Sequence, residues 1–170
     1  MLEPSNIRIS AARTIANCIL VPRTIVSATV QGLRQRSDGW RESACVWIGD
    51  YDGRVRHTVF HHEVADDKAN ALSLELPEKA KFSLYQQLAR DKQRVLALLH
   101  THPDRWVGLS WIDQQNQISS RIGFLSIVLP DYGSVNWDVD AIGFHVKCER
   151  GWSRLTTSEV HATLKIDECC

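Results

Sequence analysis

Two histidines one residue apart, His100 and His102, are followed after seven residues by Ser110 and, three positions later, by Asp113. They close a continuous apolar run, Val95-Leu96-Ala97-Leu98-Leu99, which has the length and composition of a strand covered on both faces. Successive side chains of an extended chain point to opposite faces, so His100 and His102 project to one side and can offer two imidazole nitrogens to one metal ion. The loop from Pro103 to Leu109 contains Pro103 and Gly108 and is long enough to fold back. Asp113, one turn into the helix that follows, can then add an oxygen ligand. Two nitrogens and one carboxylate leave the fourth tetrahedral position open, the arrangement of catalytic zinc, whereas closed sets of four cysteine and histidine ligands are structural. An open position holds a water whose pKa falls towards about 7, and a neighbouring carboxylate must take its proton and pass it to a leaving group. Glu42, on an earlier strand, is the candidate.

Each piece has an ordinary explanation. Ser110-x-x-Asp113 before Ile112, Ile118 and Ile122 is also a capping-box pattern. A single His-x-His is more often solvent-facing or hydrogen-bonded than metal-bound, and Glu42 alone is a charged residue at a strand start. Co-occurrence separates the readings: the full spacing arises by chance in roughly one such sequence in a thousand.

The elements that must position these residues alternate between helix and strand. Val21 to Gln35 begins with Pro22 and places Val21, Ile25, Val26, Ala28, Val30 and Leu33 at helical spacing. Glu42 to Gly49 and Val55 to His62 read as strands, and Asp50-Tyr51-Asp52-Gly53 between them has hairpin chemistry. Pro77 to Asp91 is a helix with Phe82, Tyr85, Leu88 and Ala89 on one side. Gln93 to Thr101 is a central strand, Ser110 to Arg121 a third helix, and Phe124 to Leu129 and Ala141 to Cys148 are further strands. Trp152 to Cys170 is a terminal segment read as a strand or helix and then a tail.

A chain of 170 residues with 44% hydrophobic content can bury one sizeable core, so residues 1–170 read as a single domain. Twenty basic and twenty acidic residues give zero formal charge, which argues against nucleic acid or an anionic membrane as partner. Met1 to Arg8 carries no signal core and Ile15 to Val21 is too short to span a bilayer, so a cytoplasmic location is expected. The cysteines, Cys18, Cys45, Cys148, Cys169 and Cys170, include no C-x-x-C pair and read as reduced, mostly buried thiols. His57, His61, His62, His145 and His161 lack evident metal-binding partners. Of the tryptophans, Trp106 is expected at the surface because it sits in the ligand loop, and most of the others in the core.

The segment HTHPDRWVGLSWID resembles the signature of the JAMM, or MPN+, metalloprotease family: His-x-His, seven residues, Ser, two residues, Asp, with a glutamate on an earlier strand. ESACVWIG is similar to that glutamate strand, matching Glu42 and Gly49, and the order of elements fits over about residues 15–150. The resemblance implies an α/β MPN (cytidine deaminase-like) fold, a central mixed sheet flanked by about three helices. It implies zinc on His100, His102 and Asp113, Glu42 as general base and acid, and Ser110 as hydrogen-bond donor to the oxyanion. A glycine often found three residues after the family's glutamate is Cys45 here, and an aliphatic position is Trp47.

Members of that family cleave bonds after the C-terminal tail of ubiquitin or a ubiquitin-like protein. The resemblance therefore implies an isopeptidase or peptidase acting on a ubiquitin-like protein or its conjugates. The chain's short insertions resemble stand-alone prokaryotic members, some of which accompany conjugation enzymes in antiviral defence operons. Val64 to Leu76, with Asp66 and Asp67, occupies the place of a tail-binding insertion. The rivals are a peptidase of sulfur-carrier metabolism and a non-catalytic MPN scaffold.

Overall fold

Alternating apolar runs in this chain assemble into a six-stranded mixed sheet. The computed structural model describes residues 18–60, 78–115 and 118–168. In chain order the elements are β1 (Ile19–Pro22), α1 (Arg23–Ser37), β2 (Ala44–Gly49), β3 (Val55–Phe60), α2 (Glu78–Arg90), β4 (Arg94–Thr101) and α3 (Trp111–Gln115). They continue with β5 (Leu125–Leu129), a 3-10 turn (Asp131–Gly133), β6 (Gly143–Cys148), β7 (Gly151–Arg154), α4 (Thr157–Thr163) and β8 (Leu164–Asp167). The main sheet has the order β3-β2-β4-β5-β6-β7, and β1 pairs with β8 in a separate parallel pair. Only β4 and β5 run parallel in the main sheet; every other neighbour is antiparallel. The expected mixed α/β architecture, the β2–β3 hairpin and the central place of β4 are all observed, with four α-helices among the described residues.

The two faces of β2 and β4 divide the core. Cys45, Trp47, Ala97 and Leu99 pack with Val26, Val30 and Leu33 of α1, and Trp47, fully buried, donates its indole N–H to Thr29 Oγ1 at 3.0 Å. Val46, Ile48 and Val95 pack on the other face with Leu84 and Leu88 of α2 and with Ile118 and Phe124. Burying a large side chain of this kind stabilises the fold by about 1.5–3 kcal/mol. Parity then places His100, two residues beyond Leu98, on the α2 side, and Thr101, two beyond Leu99, against α1.

Several boundaries and faces differ from those expected. Helix α1 starts at Arg23 because Ile19 to Pro22 is taken by β1, whose partner β8 lies at the far end of the chain. Helix α2 buries Leu84 and Leu88, whereas Phe82 and Tyr85, expected on the same side as Leu88, are exposed. The third helix, expected from Ser110 to Arg121, is Trp111–Gln115. Residues 116–117 lie outside the described set, Ile118 turns into the core, and Ser119 Oγ accepts the Arg121 N–H at 3.3 Å, a side-chain substitute for helix bonding. Strand β2 begins at Ala44, two residues after Glu42. The terminal segment resolves into β7, α4 and β8, with a capping box at Thr156 and Glu159. Pro77, the Val64 to Leu76 segment with Asp66 and Asp67, His61, His62, Cys169 and Cys170 lie outside the described residues.

Candidate metal centre

The ladder of β4 ends where its chemistry begins. His100 and His102 leave the same face of the strand and are almost fully buried, at 2% and 4% exposure. The chain then loops from Pro103 to Leu109 and enters α3 through reciprocal hydrogen bonds: the Asp113 N–H donates to Ser110 Oγ at 3.1 Å, and the Ser110 N–H donates to Asp113 Oδ2 at 2.7 Å. The capping box and the third candidate ligand are therefore one structure. By satisfying two helix-end donors, the cap also fixes the Asp113 carboxylate facing the histidines. His100 Nε2 lies 3.4 Å from Asp113 Oδ1, and His102 Nε2 lies 3.4 Å from Asp113 Oδ2. One ligand atom from each of the three residues falls within 4.8 Å of the others.

These separations suit a metal ion. Metal–ligand bonds of about 2.0–2.1 Å in tetrahedral geometry separate ligand atoms by about 3.3–3.4 Å. The contact of His100 with Asp113 is electrostatic and not a hydrogen bond, so both ring nitrogens of this buried histidine lack a hydrogen-bond partner. Leaving such an atom unsatisfied costs about 1–3 kcal/mol, which a cation between the three side chains would offset. The His102 Nδ1–H donates to the Trp106 carbonyl oxygen at 2.9 Å, and in the neutral ring this leaves the lone pair on Nε2, the atom facing Asp113. Burial raises the Asp113 carboxyl, yet the adjacent His100 and His102 rings and the Ser110 hydroxyl outweigh it and hold the group well below the usual carboxylate range. Burial lowers the His102 imidazole, but the Asp113 carboxylate and the Trp106 carbonyl leave it above the usual histidine value.

Glu42 is brought to the same face by register. Ala44 pairs with His100 across the antiparallel β2–β4 ladder, and the Thr101 N–H donates to the Ser43 carbonyl oxygen at 2.9 Å, one step further on. Continued by another residue, the alternation sets Glu42 opposite His102 on the histidine side. The Glu42 carboxyl is half-buried; burial raises it above the ordinary glutamate value against the opposing pull of His102 and His100. On the reverse face, Ser37, Ser43 and Thr101 are fully buried and form a hydroxyl cluster. Ser37 Oγ lies 2.8 Å from Ser43 Oγ and 3.0 Å from Thr101 Oγ1, and the Ser43 hydroxyl donates to the Leu33 carbonyl oxygen.

The ligand loop is anchored from below. His145 on β6 donates from Nε2–H to the Val107 carbonyl oxygen at 2.9 Å, and a side chain at Gly143 would run into that same oxygen. Burial holds the His145 imidazole below the usual histidine range. Asp131, Tyr132 and Gly133 all adopt positive φ, at 50°, 54° and 76°. Their turn donates the Asp131 N–H to the Asp104 carbonyl oxygen and the Tyr132 N–H to the His102 carbonyl oxygen.

The sequence left His145 without a partner and pointed neither to the hydroxyl cluster nor to this turn, because each joins residues far apart in the chain. Cys18 is exposed, contrary to expectation, because it precedes β1; Cys45 is buried, Cys148 is half-buried, and none of these three is in a disulfide. Trp106 is exposed as expected, but so are Trp40 and Trp111, at 59% and 74%.

No protein-family model matches the chain, and no curated protein matches its sequence. Among solved structures, the solution structure of a Desulfitobacterium hafniense protein is similar with a TM-score of 0.61 at 12% identity, covering 88% of this chain and 93% of that one. A crystal structure of a JAB1/MPN domain protein from Archaeoglobus fulgidus aligns with a TM-score of 0.49 at 11% identity, covering 89% and 99%. A structure described as JAMM, a metalloprotease-like zinc site in the proteasome and signalosome, aligns at 0.48 and 10% identity, covering 89% and 100%. At these identities the first likeness is one of fold alone, and the other two are too slight to bear on function.

Proposed function

We propose that the chain is a zinc-dependent peptidase of the JAMM, or MPN+, type that cleaves after the C-terminal tail of a ubiquitin-like protein, either from its conjugates or from a precursor. The observation that carries this reading is the convergence of His100, His102 and Asp113 around a buried imidazole with no hydrogen-bond partner. His100, His102 and Asp113 would hold the zinc ion. The ion would polarise a scissile carbonyl and acidify a water molecule.

The chain's own residues do the rest. Glu42, on the histidine face and half-buried, takes the proton of the attacking water at its carboxylate and delivers it to the departing amine nitrogen. The Ser110 hydroxyl accepts the Asp113 N–H and stands beside the Asp113 carboxylate; on substrate binding its O–H would turn to donate to the oxygen on which negative charge develops. Substrate specificity is the part carried by the motif resemblance. A JAMM member of this kind suits ubiquitin-like conjugation or defence systems, and a carrier-protein peptidase would share the same chemistry.

The deciding experiment is metal analysis of the purified protein together with cleavage of a fusion bearing a ubiquitin-like tail. About one zinc per chain and cleavage at the tail are expected, both lost in His100→Ala. Wild-type protein that holds no zinc would remove the reading. Hydrolysis of a protein–lysine isopeptide, set against that of a single-amino-acid adduct, separates a deconjugase from a carrier peptidase.

A further inference from the structure

Trp106 is held beside the candidate metal centre on several sides. Its backbone N–H donates to Asp104 Oδ1 at 2.8 Å and its carbonyl oxygen accepts the His102 Nδ1–H. Its indole stacks on the His102 ring, with centroids 5.2 Å apart and planes 20° apart. Beneath the indole lies Gly108: a Cβ there would sit 2.5 Å from Trp106 Cζ2 and 2.7 Å from Cε2, so only glycine leaves room for the ring in this position. Despite these restraints the side chain is 53% exposed. Trp111, which begins α3 and precedes Asp113 by two residues, is more exposed still.

A large aromatic ring fixed in one orientation offers contact area at little further entropic cost, and apolar surface left open at a reactive site is where a ligand packs. We infer that Trp106 is a specificity-determining residue whose exposed indole surface packs against the polypeptide flanking the scissile bond, and that Gly108 exists to seat that indole. This rests on the peptidase reading above. His102 and Gly108 take up part of the indole, and the half that remains exposed is what a substrate can reach.

The test uses full-length zinc-loaded protein. Glu42→Gln in the same background gives a form that cleaves slowly enough for binding measurements by fluorescence anisotropy. The probe is a fluorescein-labelled extended peptide ending in glycine and joined through an isopeptide bond to lysine. Trp106→Ala keeps the carbonyl that orients His102 and removes only the indole. It is expected to weaken probe binding and raise KM by roughly ten-fold, with kcat and zinc content little changed. Trp106→Phe is expected to recover most of the loss. Gly108→Ala displaces the ring and is expected to match Trp106→Ala, while the double variant is no worse than either single one.

Unchanged binding in Trp106→Ala, or a loss confined to zinc content, would make the indole a cover for His102 and overturn the inference. Additive losses in the double variant would overturn the role given to Gly108. If wild type cleaves and holds zinc while the Trp106 variants bind normally, only this inference fails. Zinc-free, inactive wild type removes the reading beneath it as well.

Discussion

The hydroxyl of Thr101, the residue between His100 and His102, accepts the backbone N–H of Ser43 at 2.9 Å, and Ser43 is the neighbour of Glu42. One buried side chain thus ties the strand that carries the two histidines to the segment that carries the glutamate, just past the last ladder pair of β2 with β4. Ser37, the last residue of α1, completes the cluster from the other side.

Thr101→Val is expected to leave the buried Ser43 N–H without its acceptor and the Ser37 hydroxyl oxygen without one of its partners. The loss should be about 1–3 kcal/mol of stability, measured by denaturant unfolding, with zinc still bound and kcat reduced because Glu42 is less well placed. Thr101→Ser, which keeps the oxygen, should restore kcat. A Thr101→Val protein with wild-type kcat would show that the cluster serves stability alone.

Glu42→Gln gives a test with a defined sign. Burial raises the Glu42 carboxyl in the folded protein, so the native state binds its proton more tightly than the unfolded chain does. Stability from this group is therefore full below the ordinary glutamate value and is lost as pH rises through the raised value. Metal-free Glu42→Gln should be more stable than metal-free wild type at neutral pH and no more stable in acid, as thermal unfolding at the two pH values would show. In the zinc-loaded enzyme the same change should lower kcat by about 10²–10⁴-fold, the ordinary worth of a general base.

Ser110→Ala and Asp113→Ala separate the two halves of the α3 cap. Ser110→Ala loses the acceptor for the Asp113 N–H and should cost about 1 kcal/mol of stability and about 10²–10³-fold in kcat, with zinc retained. Asp113→Ala should lose the zinc itself. Metal stoichiometry by atomic absorption distinguishes them, and equal zinc loss in both would merge the roles of the two residues.

Gly133 has φ of +76°, and a Cβ there would lie 3.2 Å from Thr101 Cγ2. Gly133→Ala should cost about 1–2 kcal/mol for the left-handed backbone alone, seen as a lower unfolding midpoint. Because its turn carries the Tyr132 N–H to the His102 carbonyl oxygen, zinc affinity should fall too.

His100, His102, Ser110 and Asp113 were legible because their spacing is local: strand parity aligns the histidines, and the cap signal marks where the aspartate turns back. The place of β4 followed from its unbroken apolar run, since only a strand covered on both sides tolerates one. Glu42 was legible as the start of a strand and, through the likeness of ESACVWIG to a glutamate strand, as the candidate base; its approach to His102 depends on the pairing of Ala44 with His100, which no local pattern states. The same limit hid the hydrogen bond of Ser37 with Thr101 and the pairing of Ile19 with Leu164, contacts that close long loops. Helix α2 misled because Phe82 and Tyr85 are apolar enough to read as core, yet Leu84 and Leu88 face the sheet. The consecutive positive φ values of Asp131 and Tyr132 are set by the backbone groups they meet and leave little trace in residue type.

The reciprocal cap of Ser110 and Asp113 has a consequence for how such a protein can be handled. The carboxylate is steadied by its own helical turn and the imidazoles by a sheet strand, each through bonds made within the chain. Small zinc-finger modules fall apart when stripped of their metal; here a chelator should remove the chemistry and leave the architecture standing. Removal and return of the ion are then expected to be reversible, with equal unfolding midpoints before chelation and after reloading.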